Sequence, residues 1–345
     1  MGSSSRSTLW GALFAQAHRR GLRLLALLAG LALLLATSLW PASEARGSGP
    51  IATTKFGEAP DTDVFTCAPT RLPRVVSHRG VDEDVSGPVP TTHKSVSALL
   101  DAGITSFDVD VFWAADDGGN ELFVGHPPSL RKRWHLDAEV HQTPLAKLRQ
   151  QAQPDGGLLR LSDFLRVLVG HRRKLGQVSL ELKFPSEQIE WRRRLPVLYA
   201  QVAAARLSSQ VAGVAFDAAQ AAAHRAAQTA AGLRSPVLLV LRDNEVPIGA
   251  DGLPHANMSL VTTSDAPYDG WSASVRLLEP ALRRATAKRS LAVWTVDTEE
   301  DLRRSWSNEV DDVVTNRAGW ARAQLARWRD EQDAICRQKL ASGKA

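Results

Sequence analysis

Sulfur is scarce in this sequence. Two cysteines and two methionines occur in 345 residues, and Cys67 and Cys336 sit far apart with no metal-ligand spacing around either. That argues against a zinc site and against a multi-bridge disulfide framework. No Gly-x-Gly-x-x-Gly follows the first strand-like run, so the dinucleotide fingerprint is missing. No internal repeat is visible. Stripes of mixed basic and aromatic residues are also absent. The formal charge of +5 is therefore read as solvated helix faces, such as Arg192, Arg193 and Arg194, and no nucleic acid is expected as a partner.

What is present begins with one uncharged apolar run, "LLALLAGLALLLATSLW" at 24–40, preceded by His18, Arg19, Arg20 and Arg23. A basic flank before an apolar run is the pattern of a signal peptide or a signal anchor. Its length is at the short limit for a spanning helix. "PASEA" at 41–45 has the small residues of a cleavage site. The flank predicts a cytosolic amino terminus. The rest of the chain is then lumenal, extracellular or secreted, with the membrane as a partner through residues 1–45. Pro, Gly, Ser, Ala and Thr dominate 46–70, a linker composition. The folded domain is expected over 71–345. With the leader set aside, about 280 residues remain, enough for one large α/β domain or two small ones.

From 71 onward, short β-branched or apolar runs alternate with helical patterns. The strand-like runs are 74–78, 106–112, 121–126, 177–184, 211–217, 236–242, 291–297 and 312–316, with 273–275 a weaker candidate. Helical runs fall at 92–102, 162–172, 186–205, 218–231, 279–289, 299–307 and 319–339, with Ser162 and Thr298 as expected caps. Such alternation predicts a parallel sheet, and the number of units predicts a (β/α)8 TIM barrel. In a closed barrel the chain ends meet, so Cys67 and Cys336 either form one disulfide or stay two thiols.

A barrel gathers the residues at the carboxyl ends of its strands into one mouth. "FDVDVF" places Asp108 and Asp110 two apart, on one face of a strand. "LELKF" repeats the pattern with Glu181 and Lys183. Inward carboxylates are costly unless compensated. Two readings follow. The three carboxylates form an oxygen cage for Mg²⁺ or Ca²⁺, or Lys183 and Arg79 neutralise them in a structural network. His78 closes "VVSH" and His126 closes "LFVGH", where histidines would serve as acid and base beside a cation and a phosphate. His93, His135, His141, His171 and His224 are read as surface residues.

These residues resemble the motifs of the glycerophosphodiester phosphodiesterase family, which shares its barrel with phosphatidylinositol phospholipase C. His78-Arg79-Gly80 is similar to the family's opening motif, and Asp108-x-Asp110 to its Glu-x-Asp. His126 matches the histidine that follows, and Glu181-x-Lys183 matches Glu-x-Lys. "VAFD" at 214–217 looks like a family strand. "WTVD" with "DDVVTN" near the carboxyl terminus matches the last signature, with Trp294 the matching aromatic. The resemblance spans about residues 72–325 and keeps the motif order.

It implies a hydrolase that cleaves a glycerophosphodiester to glycerol 3-phosphate and an alcohol. Asp108, Asp110 and Glu181 would hold the cation. Arg79, Lys183 and Trp294 would bind the phosphate end of the substrate. His78 and His126 would move protons, and the substrate's adjacent hydroxyl would attack first to give a cyclic phosphate. Alternatives are a phospholipase D-type activity on lysophospholipid or sphingolipid, and a barrel that binds phospholipid headgroups without turnover.

The sequence also departs from the family. "GPVPTTHKSV" at 87–96 lacks the glutamate of the usual Pro-Glu-Asn-Thr, with Glu83 and Asp84 the nearest acids. His126 precedes Pro127 rather than Asp, and Thr315 precedes Asn316 rather than Asp. Residues 127–158 form a long insertion expected at the mouth. Its Arg131, Lys132 and Arg133 could meet an anionic lipid surface, with Trp134 beside them, or lie in a solvated basic loop.

Overall fold

The computed structural model describes residues 71–83, 91–114, 121–134, 140–152, 157–183, 188–245, 266–286 and 289–342. The expected leader at 1–45, the linker at 46–70, Cys67 and Asp84 lie outside these residues. Among the described residues no helix is long and apolar enough to cross a membrane.

The strands, in chain order, are β1 Arg74–His78, β2 Phe107–Phe112, β3 Phe123–Val124, β4 Leu159–Arg160, β5 Val178–Leu182, β6 Val211–Ala215, β7 Val237–Leu241, β8 Gly270–Ser274, β9 Ser290–Trp294 and β10 Asp312–Thr315. All except β3 and β4 run parallel and close on themselves in the order β1-β2-β5-β6-β7-β8-β9-β10, with β10 returning to β1. The helices are α1 His93–Asp101, α2 Pro127–Trp134, α3 Leu145–Gln151, α4 Leu161–Gly170, α5 Gln188–Ala204, α6 Ala218–Ala230, α7 Pro280–Thr286, α8 Glu299–Ser307 and α9 Ala318–Ala341. This is the expected (β/α)8 barrel.

Alternation along each strand divides outside from inside. On β2, Phe107, Val109 and Val111 join the apolar layer under the helices, while Asp108 and Asp110 point the other way, into the barrel cavity. On the far side, Leu239, Trp271, Leu291 and Val313 do the same work against Leu302, Leu325 and Trp328 of the last helices. A fully buried leucine or valine of this kind contributes roughly 1.5–3 kcal/mol. Inside the barrel, Val76, Ala292 and Val314 form a small apolar plug at mid-height. Below it, the ends of β1 and β10 are tied by Arg74 and Asp312. The polar residues above the plug make the mouth.

Caps follow the sequence in part. Thr298 accepts from the Asp301 N–H at the start of α8, as expected, and Thr92, which is not among the expected caps, opens α1 in a capping box with Ser95. Ser162 is not a cap, because α4 already begins at Leu161 with Arg160 before it and no side-chain cap bond.

Three other expectations are corrected. The run at 121–126 is not a barrel strand. Only Phe123 and Val124 pair, antiparallel to Val111 and Phe112, so β3 peels off the end of β2. The missing barrel strand is β8, which covers the weaker 273–275 candidate and starts earlier, at Gly270. His224 is a core residue rather than a surface one. It is fully buried, with its Nδ1 2.7 Å from the Tyr199 hydroxyl, and burial takes its pKa down to about 3.

The insertion at 127–158 differs from a plain loop in its described parts. Helices α2 and α3 and a 3-10 turn at Val140–Gln142 surround Phe112, Phe123, Leu130, Val140, Leu148 and Leu158 as a satellite core. Arg131, Lys132 and Arg133 are exposed on α2. Residues 135–139 and 153–156, and the Trp134 side chain, lie outside what is described.

Candidate active site

β1 ends at His78, and the next two residues leave the strand in left-handed conformations, Arg79 at φ 58° and Gly80 at φ 61°. Glycine suits the second position because a Cβ there would lie 3.1 Å from the Thr91 methyl. Arg79 has no such freedom and is held in a strained conformation. Its carbonyl accepts a short hydrogen bond from the Thr91 hydroxyl. The Ser77 hydroxyl donates to the Val81 carbonyl at 2.7 Å. The result turns the Arg79 side chain into the mouth, where it lines the same cavity as His78.

Strand register then sets the neighbours. His78 lies beside Asp108 across the β1–β2 pair, and Asp110 lies beside Glu181 across β2–β5. The cavity, about 160 Å³, is lined by His78, Arg79, Asp108, Asp110, Glu181 and Lys183 on this side and by Phe216, Arg242, Ser272 and Trp294 opposite. That is well above the roughly 10–15 Å³ a single water needs. The Trp294 indole N–H donates to the Ser272 carbonyl at 3.0 Å, which fixes its ring at the rim.

The charges here are incompletely matched. The Lys183 ammonium ion-pairs closely with Glu181 and lies 3.2 Å from Asp110 Oδ1. Burial alone would lower the lysine's pKa, but Asp110 and Glu181 outweigh it and the net direction is up. Arg79 Nε stands 3.8 Å from Asp110 Oδ2, too far for a hydrogen bond, and both buried atoms lack a hydrogen-bond partner. Asp108 is raised well above the usual carboxylate range by burial and then by the negative charges of Glu181 and Asp110. Glu181 is raised by burial and by Asp110. The structural network envisaged from the sequence thus exists in part: Lys183 and Arg79 offset the charge of Asp108 without outweighing burial and its acidic neighbours, and one oxygen of Asp110 is left without a hydrogen bond.

His78 is positioned from behind. Asp297 Oδ1 accepts from the Asn316 backbone N–H at 2.8 Å and from the Thr315 hydroxyl at 2.9 Å, and Asp297 Oδ2 accepts from Asn316 Nδ2 at 2.7 Å. That orients the Asn316 amide, so its Oδ1 is the atom facing His78 Nδ1 at 2.7 Å. A carbonyl oxygen can only accept, so Nδ1 carries the proton and the imidazole's Nε2 keeps its lone pair. Burial and then Arg79 lower the His78 pKa from its ordinary value, which keeps the ring neutral at neutral pH.

His126 arrives by another route. The Gly125 N–H donates to the Asp110 carbonyl at 2.9 Å, and Gly125 adopts φ 144° where a Cβ would meet Leu130 at 2.8 Å. His126 follows, with Nδ1 3.2 Å from the Ser129 hydroxyl. It is not among the residues lining the cavity, yet its pKa registers the charges of the site. Burial takes it down to about 4, with Asp110 opposing and Arg79, Lys183 and His78 assisting. Glu83 is exposed and also lies outside the cavity lining, its backbone N–H bonded to the Asn316 carbonyl at 2.8 Å.

The oxygen donors suit a hard cation. The unsatisfied Asp110 Oδ2 and the raised Asp108 are what a bound cation would relieve. Among the described residues no three His, Cys, Asp or Glu side chains already converge as a cage, and the Lys183 ammonium occupies the gap between Glu181 and Asp110.

The strand-end rule thus brings together His78, Arg79, Asp108, Asp110, Glu181, Lys183 and Trp294, and leaves His126 at the edge. It missed Asn316 and Asp297 as the support of His78, and it missed Phe216 and Arg242. The last two were open to the same rule, since each directly follows the last residue of a barrel strand.

No protein-family profile and no curated protein matches the sequence. Solved structures do. A protein assigned as a glycerophosphoryl diester phosphodiesterase from Silicibacter pomeroyi aligns with TM-score 0.59 at 20% identity, over 74% of this chain and 94% of that one. A glycerophosphodiester phosphodiesterase from Parabacteroides distasonis aligns with TM-score 0.56 at 15% identity, over 74% and 99%. An Oleispira antarctica phosphodiesterase, solved with the product sn-glycerol-3-phosphate, aligns with TM-score 0.53 at 16% identity, over 74% and 97%. The barrel therefore has the fold of the glycerophosphodiester phosphodiesterases.

Proposed function

We propose that this chain is a phosphodiester hydrolase that cleaves glycerophosphodiesters to glycerol 3-phosphate and an alcohol. The observation that carries the reading is the His78 side chain. It is neutral, has its tautomer set by Asn316, and stands beside Asp108 and Arg79 in one cavity.

In this reading His78 Nε2 takes the proton from the attacking hydroxyl, either the substrate's own adjacent hydroxyl or water. Arg79 and Lys183 offset the charge that spreads over the phosphate oxygens in the transition state. His126 delivers a proton to the leaving alcohol after taking one up, a gain that a neighbouring phosphate anion favours. Trp294 forms one rim of the substrate pocket. Asp108, Asp110 and Glu181 would hold Mg²⁺ or Ca²⁺, with Lys183 released towards the phosphate. The cation, when bound, supplies electrostatic stabilisation to a phosphate oxygen and the adjacent hydroxyl. The basic flank and apolar run at 18–40 support a membrane-anchored or secreted enzyme whose barrel works beyond the membrane.

The test is to incubate the purified full chain with a panel of glycerophosphodiesters and either Mg²⁺ or Ca²⁺, and to assay glycerol 3-phosphate. Turnover that EDTA abolishes is expected. Calorimetric titration of each cation into the protein checks the carboxylates separately from activity, and Asp108→Asn should weaken that binding. Undiminished turnover after His78→Ala and His126→Ala together would overturn the assignment. Release of free choline from lysophosphatidylcholine without action on glycerophosphodiesters would point to the phospholipase D-type alternative.

A further inference from the structure

The turn after β1 and the start of α9 are tied together behind His78. Asp82 is fully buried, and its Oδ2 accepts from the Gly319 backbone N–H at 2.6 Å. One residue on, the Glu83 N–H donates to the Asn316 carbonyl at 2.8 Å. Asn316 in turn faces His78 Nδ1 with its side-chain oxygen at 2.7 Å. The segment from His78 to Asp82 and the segment from Asn316 to Gly319 therefore form a closed cycle. The His78–Asn316 bond joins it at one end and the Asp82–Gly319 bond at the other. Within the cycle the β1 turn is tightly wound. Arg79 and Gly80 are left-handed, the Val81 N–H donates to the His78 carbonyl at 3.3 Å, and the Ser77 hydroxyl holds the Val81 carbonyl.

Capping α9 does not by itself account for Asp82. A side chain at the N-cap position ordinarily satisfies the first N–H groups of a helix. Arg317 holds that position in α9 and makes no side-chain cap bond. The bond comes instead from a carboxylate 237 residues earlier in the chain. Burying a carboxylate is costly unless hydrogen bonds and positive charge meet it, and here the Gly319 N–H and the positive end of the helix dipole do so. Ser, Thr, Asn or Asp at 317 would cap α9 without that cost. Such a cap would not reach the segment that carries His78, and Asp82 does. Resting on the hydrolase reading above, we infer that Asp82 is a positioning residue, which holds the start of α9 against the β1 turn and so keeps the Asn316 amide on His78 Nδ1. The two bonds to Asp297 set which way that amide faces. Asp82 sets how near it stands.

Two measurements on the purified full chain test this. One is turnover of glycerophosphocholine with Mg²⁺ or Ca²⁺, and the other is NMR of the His78 ring nitrogens, which needs no turnover. Asp82→Leu fills the buried site and removes the bond. It should lower kcat by about three- to tenfold with KM little changed. Asp82→Asn keeps an acceptor for the Gly319 N–H and should recover most of that loss. Asp82→Leu with Asn316→Leu should be no slower than Asn316→Leu alone, because both changes act through one contact. In the unsubstituted protein His78 should show the Nδ1-protonated tautomer. Asp82→Leu should move its ring nitrogens towards the average of the two tautomers. Arg74→Met, a destabilising change at the far end of the barrel, should alter neither readout. Asp82→Ala is read in the same way where Asp82→Leu does not fold. An unchanged tautomer, an undiminished kcat, or a loss that adds in full to that of Asn316→Leu would each overturn the inference and leave Asp82 as a cap of α9. If the unsubstituted protein turns over no diester, the hydrolase reading fails, and the tautomer alone decides whether Asp82 positions Asn316.

Discussion

The two ends of the barrel each place an arginine of the β1 segment against an aspartate of a neighbouring strand, and they do opposite things with it. At the lower end, Arg74 grips Asp312 with two parallel bonds, Nε to Oδ1 at 2.6 Å and Nη2 to Oδ2 at 2.8 Å, and Nη2 also donates to Gln177. Asp312 is 1% exposed and both of its oxygens are satisfied. At the upper end, Arg79 and Asp110 stand 3.8 Å apart with a buried nitrogen and a buried oxygen unbonded. A folded chain satisfies nearly all its buried polar groups. The lower pair shows that this barrel can do so with the same two residue types. The loose upper pair is what the proposed binding of a cation and a phosphate would complete, and the lower pair is a closed structural tie.

The largest expected effect breaks the comparison at the top. His78→Ala should lower turnover by about 10²- to 10⁴-fold, the usual worth of a general base, and leave the thermal midpoint near that of the unsubstituted protein. A comparable loss of stability would make the mouth as structural as the floor.

The next effect belongs to the floor. Arg74→Met should destabilise by about 2–3 kcal/mol, below the usual range for breaking a buried pair because Arg74 is itself part-exposed. Its sign with pH is defined. Burial already raises the Asp312 pKa, with Arg74 opposing, so removing the arginine raises it further. A carboxyl raised in the folded state costs stability once pH rises above the unfolded value. The deficit of Arg74→Met should therefore be larger at pH 7 than at pH 4 in urea melts. Adding Asp312→Leu should recover much of it.

The barrel was legible because most of its strands are apolar runs between turn residues, a pattern that sequence carries locally. The exception is instructive. "LFVGH" has the composition of a buried strand, yet only Phe123 and Val124 pair, because Gly125 turns the chain against Leu130. "GWSAS" is covered only by the weak strand candidate at 273–275, and it is β8. Its cavity-side Ser272 is polar where β6 and β7 carry Val214 and Val240, so no apolar run remains to see. The strand-end rule found the carboxylates, His78 and Lys183, since each sits inside a motif of two or three residues. Asn316 and Asp297 also end expected strands, but their role behind His78 is a contact between side chains of three segments, which appears only when the barrel closes β10 onto β1.

That support is also the subtlest place to sharpen the contrast between the two ends. Asn316→Leu removes the acceptor at His78 Nδ1 and frees the tautomer, so turnover should fall about tenfold, in line with the loss of a net hydrogen bond of roughly 1–1.5 kcal/mol. Asn316→Asp keeps an acceptor but adds charge. A carboxylate at 2.7 Å favours the imidazolium and works against the burial and the Arg79 charge that now lower the His78 pKa. Only the neutral ring can take a proton, so the acid limb of the pH–rate profile should move to higher pH by about one unit, with little change above it. A limb that stays in place would mean that the acid limb reports a group other than His78. At the floor, an aspartate beside a cation serves packing. Beside His78 it would set the pH at which the mouth works, whereas the neutral Asn316 amide leaves burial and Arg79 to prevail.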